Sequence, residues 1–174
     1  IGLLAALGGQ KAEGDLKGSV DITGNDGKIA LKIAANGNGI RRDTLTIAKP
    51  AIDVTVSDVQ AFAANGTIRA DEFGIGTNKL TGIALDFAQQ QTRTDFNLNA
   101  GYDGNPLQAG GSVQSAGGMI DLSLDHFAAK PRNIPVELAS PAQVNVTKGV
   151  ASLNGLTVKT GSGSCPDATA SGKI

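Results

Sequence analysis

The strongest constraint on this chain is the alternation of apolar and polar residues with a period of two. The runs Lys28 to Ile33 and Ala51 to Val56 both alternate in this way, and similar runs recur along the chain. Successive side chains of a β-strand point to opposite faces, so each run has one apolar and one polar face. The pattern predicts an almost wholly β structure with strands mostly about 6 to 11 residues long.

Turn-forming residues separate the runs about every 10 to 14 residues, which predicts on the order of 12 strands. These signals are rich in Gly, Asn and Asp, which favour the positive backbone angles of tight hairpins. They lie at residues 23–27, 36–39, 65–66, 102–106 and 116–118. The start of the chain differs because Ile1, Leu4 and Leu7 have helical spacing, which fits either a short helix or the irregular end of a fragment.

The composition favours one curved sheet over two packed sheets. Aromatic residues make up 3% of the chain, Trp is absent and 24 residues are Gly. Two packed sheets need bulky side chains to fill a layer about 10 Å thick, and small residues fill it poorly. We therefore predict an all-β, elongated, antiparallel meander with an apolar concave groove. The predicted lining residues are Val20, Ile22, Ile29, Leu31, Ile33, Ile52, Val54, Val56, Leu85, Phe87, Phe96, Leu98, Leu122, Leu124, Val144, Val146, Leu156 and Val158.

A faint internal echo suggests that the chain is a single β-rich segment, residues 1–174, with two loose modules. The stretch from Ala48 to Val56, which contains Pro50, is similar to the stretch from Ala139 to Val146, which contains Pro141. Serial stacking of similar units explains such an echo. It predicts modules at about residues 14–100 and 101–174.

The distribution of charge and cysteine excludes several classes of protein. The 15 basic and 16 acidic residues are scattered, with no basic stripe among aromatics, so no nucleic-acid partner is predicted. Cys165 is the one cysteine and cannot form an intrachain disulfide. The apolar run from Ile1 to Gly9 is far shorter than the roughly 20 residues of a membrane-spanning helix and lacks the basic leader of a signal peptide. Any membrane anchor is expected outside this sequence.

The residues predict no catalytic site, no metal site and no cofactor. The one histidine, His126, follows Asp125 on a predicted strand, where neighbours point to opposite faces, so we expect a surface histidine. Asp71 and Glu72 do not have the spacing of a calcium loop. No Gly-rich stretch opens a helix or continues as Gly-Lys-Ser/Thr, as a phosphate loop does. The chain is therefore not expected to be an enzyme.

Two stretches near the end, 138–146 and 149–163, resemble a recurrent unit of the TamB family. The unit runs from an apolar residue and Pro through a strand and a Gly turn to a Leu-x-Val strand and Gly-x-Gly. Pro141 and the run Leu156-Thr157-Val158 occupy the matching places here. The similarity extends to residues 65–71 and 81–87 and covers most of the chain. It departs from the family pattern at Cys165-Pro166-Asp167, where a further strand would be expected.

The resemblance implies a long, taco-shaped β-sheet whose apolar groove shields phospholipid acyl chains. It further implies a protein anchored in the inner membrane of a Gram-negative bacterium by a segment outside this chain. Such a protein crosses the periplasm and meets an outer-membrane barrel protein of the assembly module, a TamA-like partner. Phospholipid transport between the two membranes and support of outer-membrane protein assembly are the implied functions. The alternative is a β-solenoid structural or adhesive segment of a secreted or surface protein.

Overall fold

The computed structural model describes residues 13–25, 27–116, 118–147, 150–161 and 168–173, with the backbone alone described for Asn25 and for the last range. These residues form one antiparallel sheet with a single 3-10 turn at Pro131–Asn133, so the predicted all-β class is confirmed. The helix considered for Ile1 to Leu7 lies outside the described residues. The strands are β1 (Glu13–Asn25), β2 (Lys28–Arg42), β3 (Leu45–Ala48), β4 (Ala51–Asp58), β5 (Ala63–Ile75), β6 (Asn78–Gln90), β7 (Arg93–Tyr102), β8 (Asn105–Ala116), β9 (Met119–Ala129), β10 (Val136–Leu138), β11 (Ala142–Thr147), β12 (Val150–Thr160) and β13 (Ala168–Lys173).

The sheet is a meander in which each strand lies beside its neighbours in the sequence. At each of two places across the sheet, a pair of short strands takes the place of one full-length strand. Both β3 and β4 lie between β2 and β5, and both β10 and β11 lie between β9 and β12. Each pair is therefore one long strand with a break in it.

A proline accounts for each break. Pro50 follows Lys49, whose φ is +42°, and proline cannot donate a ladder hydrogen bond. Hydrogen bonds to β2 bridge the first break, where the Gly37 N–H donates to the Pro50 carbonyl at 3.0 Å. Pro141 lies in the second break, where the Ala139 N–H donates to the Thr157 carbonyl at 2.8 Å. The two stretches of the internal echo thus have the same structural role, while the module boundaries stay a prediction.

A line of extra residues crosses the sheet from β2 to β6. The register shifts between β1 and β2 and again between β6 and β7. At the level of these shifts the strands in between keep one common register, and β4 and β5 shift only at the far end of β4, between Val56 and Asp58. Each strand in between therefore carries one extra residue at the same level, as in a β-bulge. The extra residue reverses the alternation beyond it. As a result, the apolar face continues at the far end of these strands through the successive partners Ile40, Ile47, Phe73, Leu80 and Tyr102.

Several strands are longer than predicted. β1 and β6 have 13 residues, and β2 and β5 reach 15 and 13 because two expected turns lie inside them. These are residues 36–39 within β2 and residues 65–66 within β5. A Cβ on Gly66 would lie 2.1 Å from the Asp53 carbonyl oxygen, and its φ is +138°. Glycine there permits close approach of two strands, while Asp103 and Gly104 form a true hairpin turn with positive φ at both residues.

The described strands form one layer with little enclosed core. The buried apolar side chains are Val54, Ala63, Ala109 and Ala142. The accessible surface of 11173 Å² exceeds the roughly 7,900 Å² expected for a compact protein of this mass. Most apolar side chains are therefore half-buried within their own sheet.

Candidate functional site

The strand registers place all eighteen predicted lining residues on one face of the sheet. Residues directly opposite each other in antiparallel strands project to the same side, so successive partners form rows across the sheet. The first row runs from β1 to β11 and consists of Val20, Ile33, Val54, Gly66, Phe87, Phe96, Gly111, Leu124 and Ala142. Every member is apolar or glycine, so this row is a continuous apolar stripe.

A second row parallels the first one pleat away. It consists of Gly18, Ala35, Ile52, Ile68, Leu85, Leu98, Ala109 and Phe127. Of its large apolar residues, Ile68 and Phe127 were absent from the predicted set. Ile68 lies in a strand interrupted by the extra residue, and Phe127 follows a bulge between β8 and β9, so neither belongs to an unbroken alternating run.

The side chains of the apolar face differ in solvent exposure from strand to strand. Val54 is 8% exposed in the interior, whereas Val20 is 60% and Ile22 is 68% exposed on β1. Ile29, near the β1–β2 turn, is 46% exposed. The predicted lining residues of β1 are therefore largely exposed, because among the described residues β1 has a neighbouring strand on one side only.

A third row on the same face is in two parts, because Thr94 and the loop between β4 and β5 interrupt its apolar side chains. Its first part is Ile22, Leu31, Val56 and Ala64, and its second part is Thr94, Val113, Leu122, Val144 and Leu153. Thr94 is 1% exposed. Its hydroxyl donates to the Phe62 carbonyl at 2.6 Å and accepts from the Ala64 N–H at 2.9 Å. These bonds attach the loop between β4 and β5 to β7, at one rim of the apolar face.

The opposite face is polar. One of its rows consists of Ser19, Ala34, Asp53, Thr67, Asp86, Asn97, Gly110 and His126. Arg69 on this face pairs with Asp86 and also donates to the Leu85 carbonyl at 3.0 Å. A shallow depression of about 570 Å³ on this side is lined mainly by small and polar residues such as Lys17, Asn36 and Asp53. The sheet therefore has an apolar and a polar face. Because this depression lies on the polar side, the concavity of the apolar face stays a prediction.

Some charged groups of the polar face form ion pairs at the surface. The Lys49 ammonium lies 2.7 Å from the Asp71 carboxylate, both at the level of the extra residues. The hydrogen bond to Asp71, and then its charge, raise the pKa of Lys49 above its ordinary value. His126 is exposed on the same polar face.

Three further observations concern chemistry and membranes. Within the described residues, no group of three or more His, Cys, Asp and Glu side chains is placed to hold a metal ion. In the same part of the chain, no helix has the length and apolar character needed to cross a membrane. Cys165 lies outside the described residues.

Comparison of the chain with protein-family models, with curated proteins and with solved structures found no match.

Proposed function

We propose that the apolar face shields phospholipid acyl chains, and that the chain is a segment of a TamB-like, periplasm-spanning protein. The observation that supports this is the unbroken apolar first row, which crosses nine strands. Strands about 4.8 Å apart give such a row a length of roughly 38 Å. A lipid tail can therefore lie along the row without meeting a polar side chain.

The energetic reason for such a face is the cost of exposing a lipid tail to water. Each CH₂ exposed costs about 0.8 kcal/mol, so a chain of about 16 carbons costs on the order of 12 kcal/mol. The first and second rows offer aliphatic and aromatic contacts to that tail. Because hydrophobic contact is non-directional, no single residue holds the lipid, and the tail can slide from strand to strand.

The wider setting of this proposal is taken from the family resemblance. The full-length protein would be anchored in the inner membrane by a segment outside this chain and would meet a TamA-like barrel protein at the outer membrane. Its functions would be phospholipid transport between the membranes and support of outer-membrane protein assembly. A sheet with one apolar and one polar face suits this setting, since the polar face can remain in water while the other contacts lipid.

The alternative, a β-solenoid structural or adhesive segment, has less support. A β-helix stacks parallel coils around a closed core, whereas every strand pair among the described residues is antiparallel. The four buried apolar side chains named above do not constitute such a core.

A charge placed on the apolar face tests the proposal. Leu98→Arg introduces a guanidinium into the second row, and Asn97→Arg places the same group on the polar face one residue away. We expect Leu98→Arg to reduce binding of a fluorescent acyl-chain probe about tenfold, and Asn97→Arg to leave it unchanged. Leu122→Glu and Ser123→Glu form a second matched pair in β9.

Thermal melting of the same variants distinguishes a lipid-shielding open sheet from a β-solenoid. On an open face a long charged side chain reaches water, so Leu98→Arg should remain folded. In a closed β-helix the same charge would be buried, and the variant would unfold. Equal probe binding by folded Leu98→Arg and Asn97→Arg would contradict the proposal.

A further inference from the structure

Phe62 occupies a turn position at which an aromatic residue is unexpected. Its φ is +55°, a left-handed conformation that is strained for a bulky side chain. Turn positions with positive φ favour Gly, Asn and Asp. In the described part of the chain, the other non-glycine residues with positive φ are all polar, and they are Asp43, Lys49, Gln91, Asp103, Arg132 and Asn133. The requirements of the turn alone therefore do not account for a phenylalanine here.

Burial of the ring does not account for it either. Phe62 is 40% exposed, and Val59 in the same loop between β4 and β5 is 37% exposed. Both side chains thus keep a large part of their apolar surface in water, where it contributes little to folding. The loop places two apolar side chains at the surface, one of them on a strained backbone, and contact with an apolar ligand would explain both features.

The loop lies on the apolar side of the sheet, beside the first row. Thr94 projects from the apolar face and is 1% exposed, so the loop that bonds to it covers this part of the face. The Phe62 carbonyl accepts from the Thr94 hydroxyl at 2.6 Å, and Thr94 precedes Phe96 of the first row by two residues on β7. At about 3.4 Å per residue, the loop is roughly 7 Å from the level of that row. A lipid tail on the first row would pass directly beside it.

Hydrogen bonds hold the loop at both ends. The Val59 N–H donates to the Ile29 carbonyl of β2 at 2.9 Å. The Asp58 carboxylate accepts from the Gln60 N–H at 2.9 Å, which fixes the first turn of the loop. Thr94 attaches the other end to β7. The two apolar side chains are therefore carried on a backbone that is already in place before any ligand arrives.

We propose that Val59 and Phe62 form an apolar lip that contacts the acyl chain from the side. This inference rests on the proposed function, because it adds contacts to the same lipid path. A flat sheet face touches a tail from below only, whereas a lip at the rim removes further CH₂ groups from water. The Phe62 side chain gains burial from the tail that the sheet itself does not provide. In this arrangement Thr94 is a positioning residue, which acts by holding the lip.

Replacing Phe62 by asparagine separates a ligand contact from a structural role. Asparagine adopts positive φ more readily, so the melting temperature of Phe62→Asn should stay unchanged or rise. Binding of the fluorescent acyl-chain probe should weaken about tenfold, as expected from losing the partial burial of one aromatic side chain. Gln91→Asn is the matched control, because Gln91 has a φ of +53° in the β6–β7 turn at the same rim, and it should change neither quantity. Unchanged probe binding by Phe62→Asn would overturn the proposal.

Tryptophan fluorescence locates the contact directly, because the chain contains no tryptophan of its own. Phe62→Trp, Leu98→Trp and Gln91→Trp would each be titrated with a brominated long-chain fatty acid below its micellar concentration, since bromine quenches indole emission only at close range. We expect a similar loss of emission in Phe62→Trp and Leu98→Trp, and little loss in Gln91→Trp. Quenching of Leu98→Trp without Phe62→Trp would overturn the lip and leave the proposed function standing. No quenching of Leu98→Trp would contradict both, and equal quenching of all three would indicate non-specific adsorption and overturn the lip.

Discussion

The hydroxyl of Thr94 provides a quantitative test of how the loop between β4 and β5 is attached to the sheet. Thr94→Val keeps the shape of the side chain but removes the bonds to the Phe62 carbonyl and the Ala64 N–H. Each bond contributes about 1 kcal/mol net, and each backbone group left without a partner adds a desolvation cost. Because Thr94 is 1% exposed, water cannot readily replace the hydroxyl, and we expect a loss of roughly 2 to 4 kcal/mol in unfolding free energy.

Urea unfolding followed by circular dichroism measures this loss, and two variants identify its source. Thr94→Ser keeps the hydroxyl and removes one methyl group, so it should cost about 1 kcal/mol. Thr55→Val makes the same change as Thr94→Val at an exposed position of β4 and should stay within about 0.5 kcal/mol of the unmodified chain. If Thr94→Ser destabilised the chain as much as Thr94→Val, the hydroxyl would not be what anchors the loop.

Two other features of the sheet give further tests. Gly66→Ala should destabilise the chain by about 2 kcal/mol or more in the same assay, because its Cβ would lie 2.1 Å from a carbonyl oxygen at a φ of +138°. Gly24→Ala, whose Cβ would lie 4.0 Å from the nearest atom, should be nearly neutral, and equal losses would contradict the close-approach explanation. The Lys49–Asp71 pair raises the pKa of Lys49, so its stabilisation is complete below the ordinary lysine pKa and disappears as the pH rises through the folded value. An NMR titration should show the Lys49 pKa returning to its ordinary value in Asp71→Asn, and an unchanged titration would refute the pairing.

The period-two pattern was sufficient to predict the fold class and the two faces of most strands. Val54 and Asp53 show why, since neighbours in a regular strand necessarily point to opposite sides. The same rule failed to predict the extra residues of β2 to β6. The position of the extra residues depends on neighbouring strands sharing one register, which no single stretch of sequence shows. Lys49 and Gly82 lie at this level and have positive φ, but the residues around them do not predict an extra residue.

Turn residues were the less reliable guide, for a physical reason. Glycine is required both at positive φ in turns and where two backbones approach closely within a sheet, so Asn-Gly at Asn65 fits either environment. The burial of Thr94 was equally hidden, because it depends on a loop whose Phe62 lies 32 residues earlier in the chain. A threonine on a strand suits either face, and only the tertiary arrangement decides which.

Photo-crosslinking with mapped adducts tests the central proposal most directly. The unmodified chain would be incubated with phospholipid that carries a photoreactive group on its acyl chain, and the adducts located by mass spectrometry. The proposal predicts adducts concentrated on the first and second rows, at residues such as Ile33, Leu85, Phe96 and Leu98, with few on the opposite face. Adducts spread equally over Asp53, Asn97 and the rest of the polar face, or no adducts above those of an unrelated protein, would contradict it.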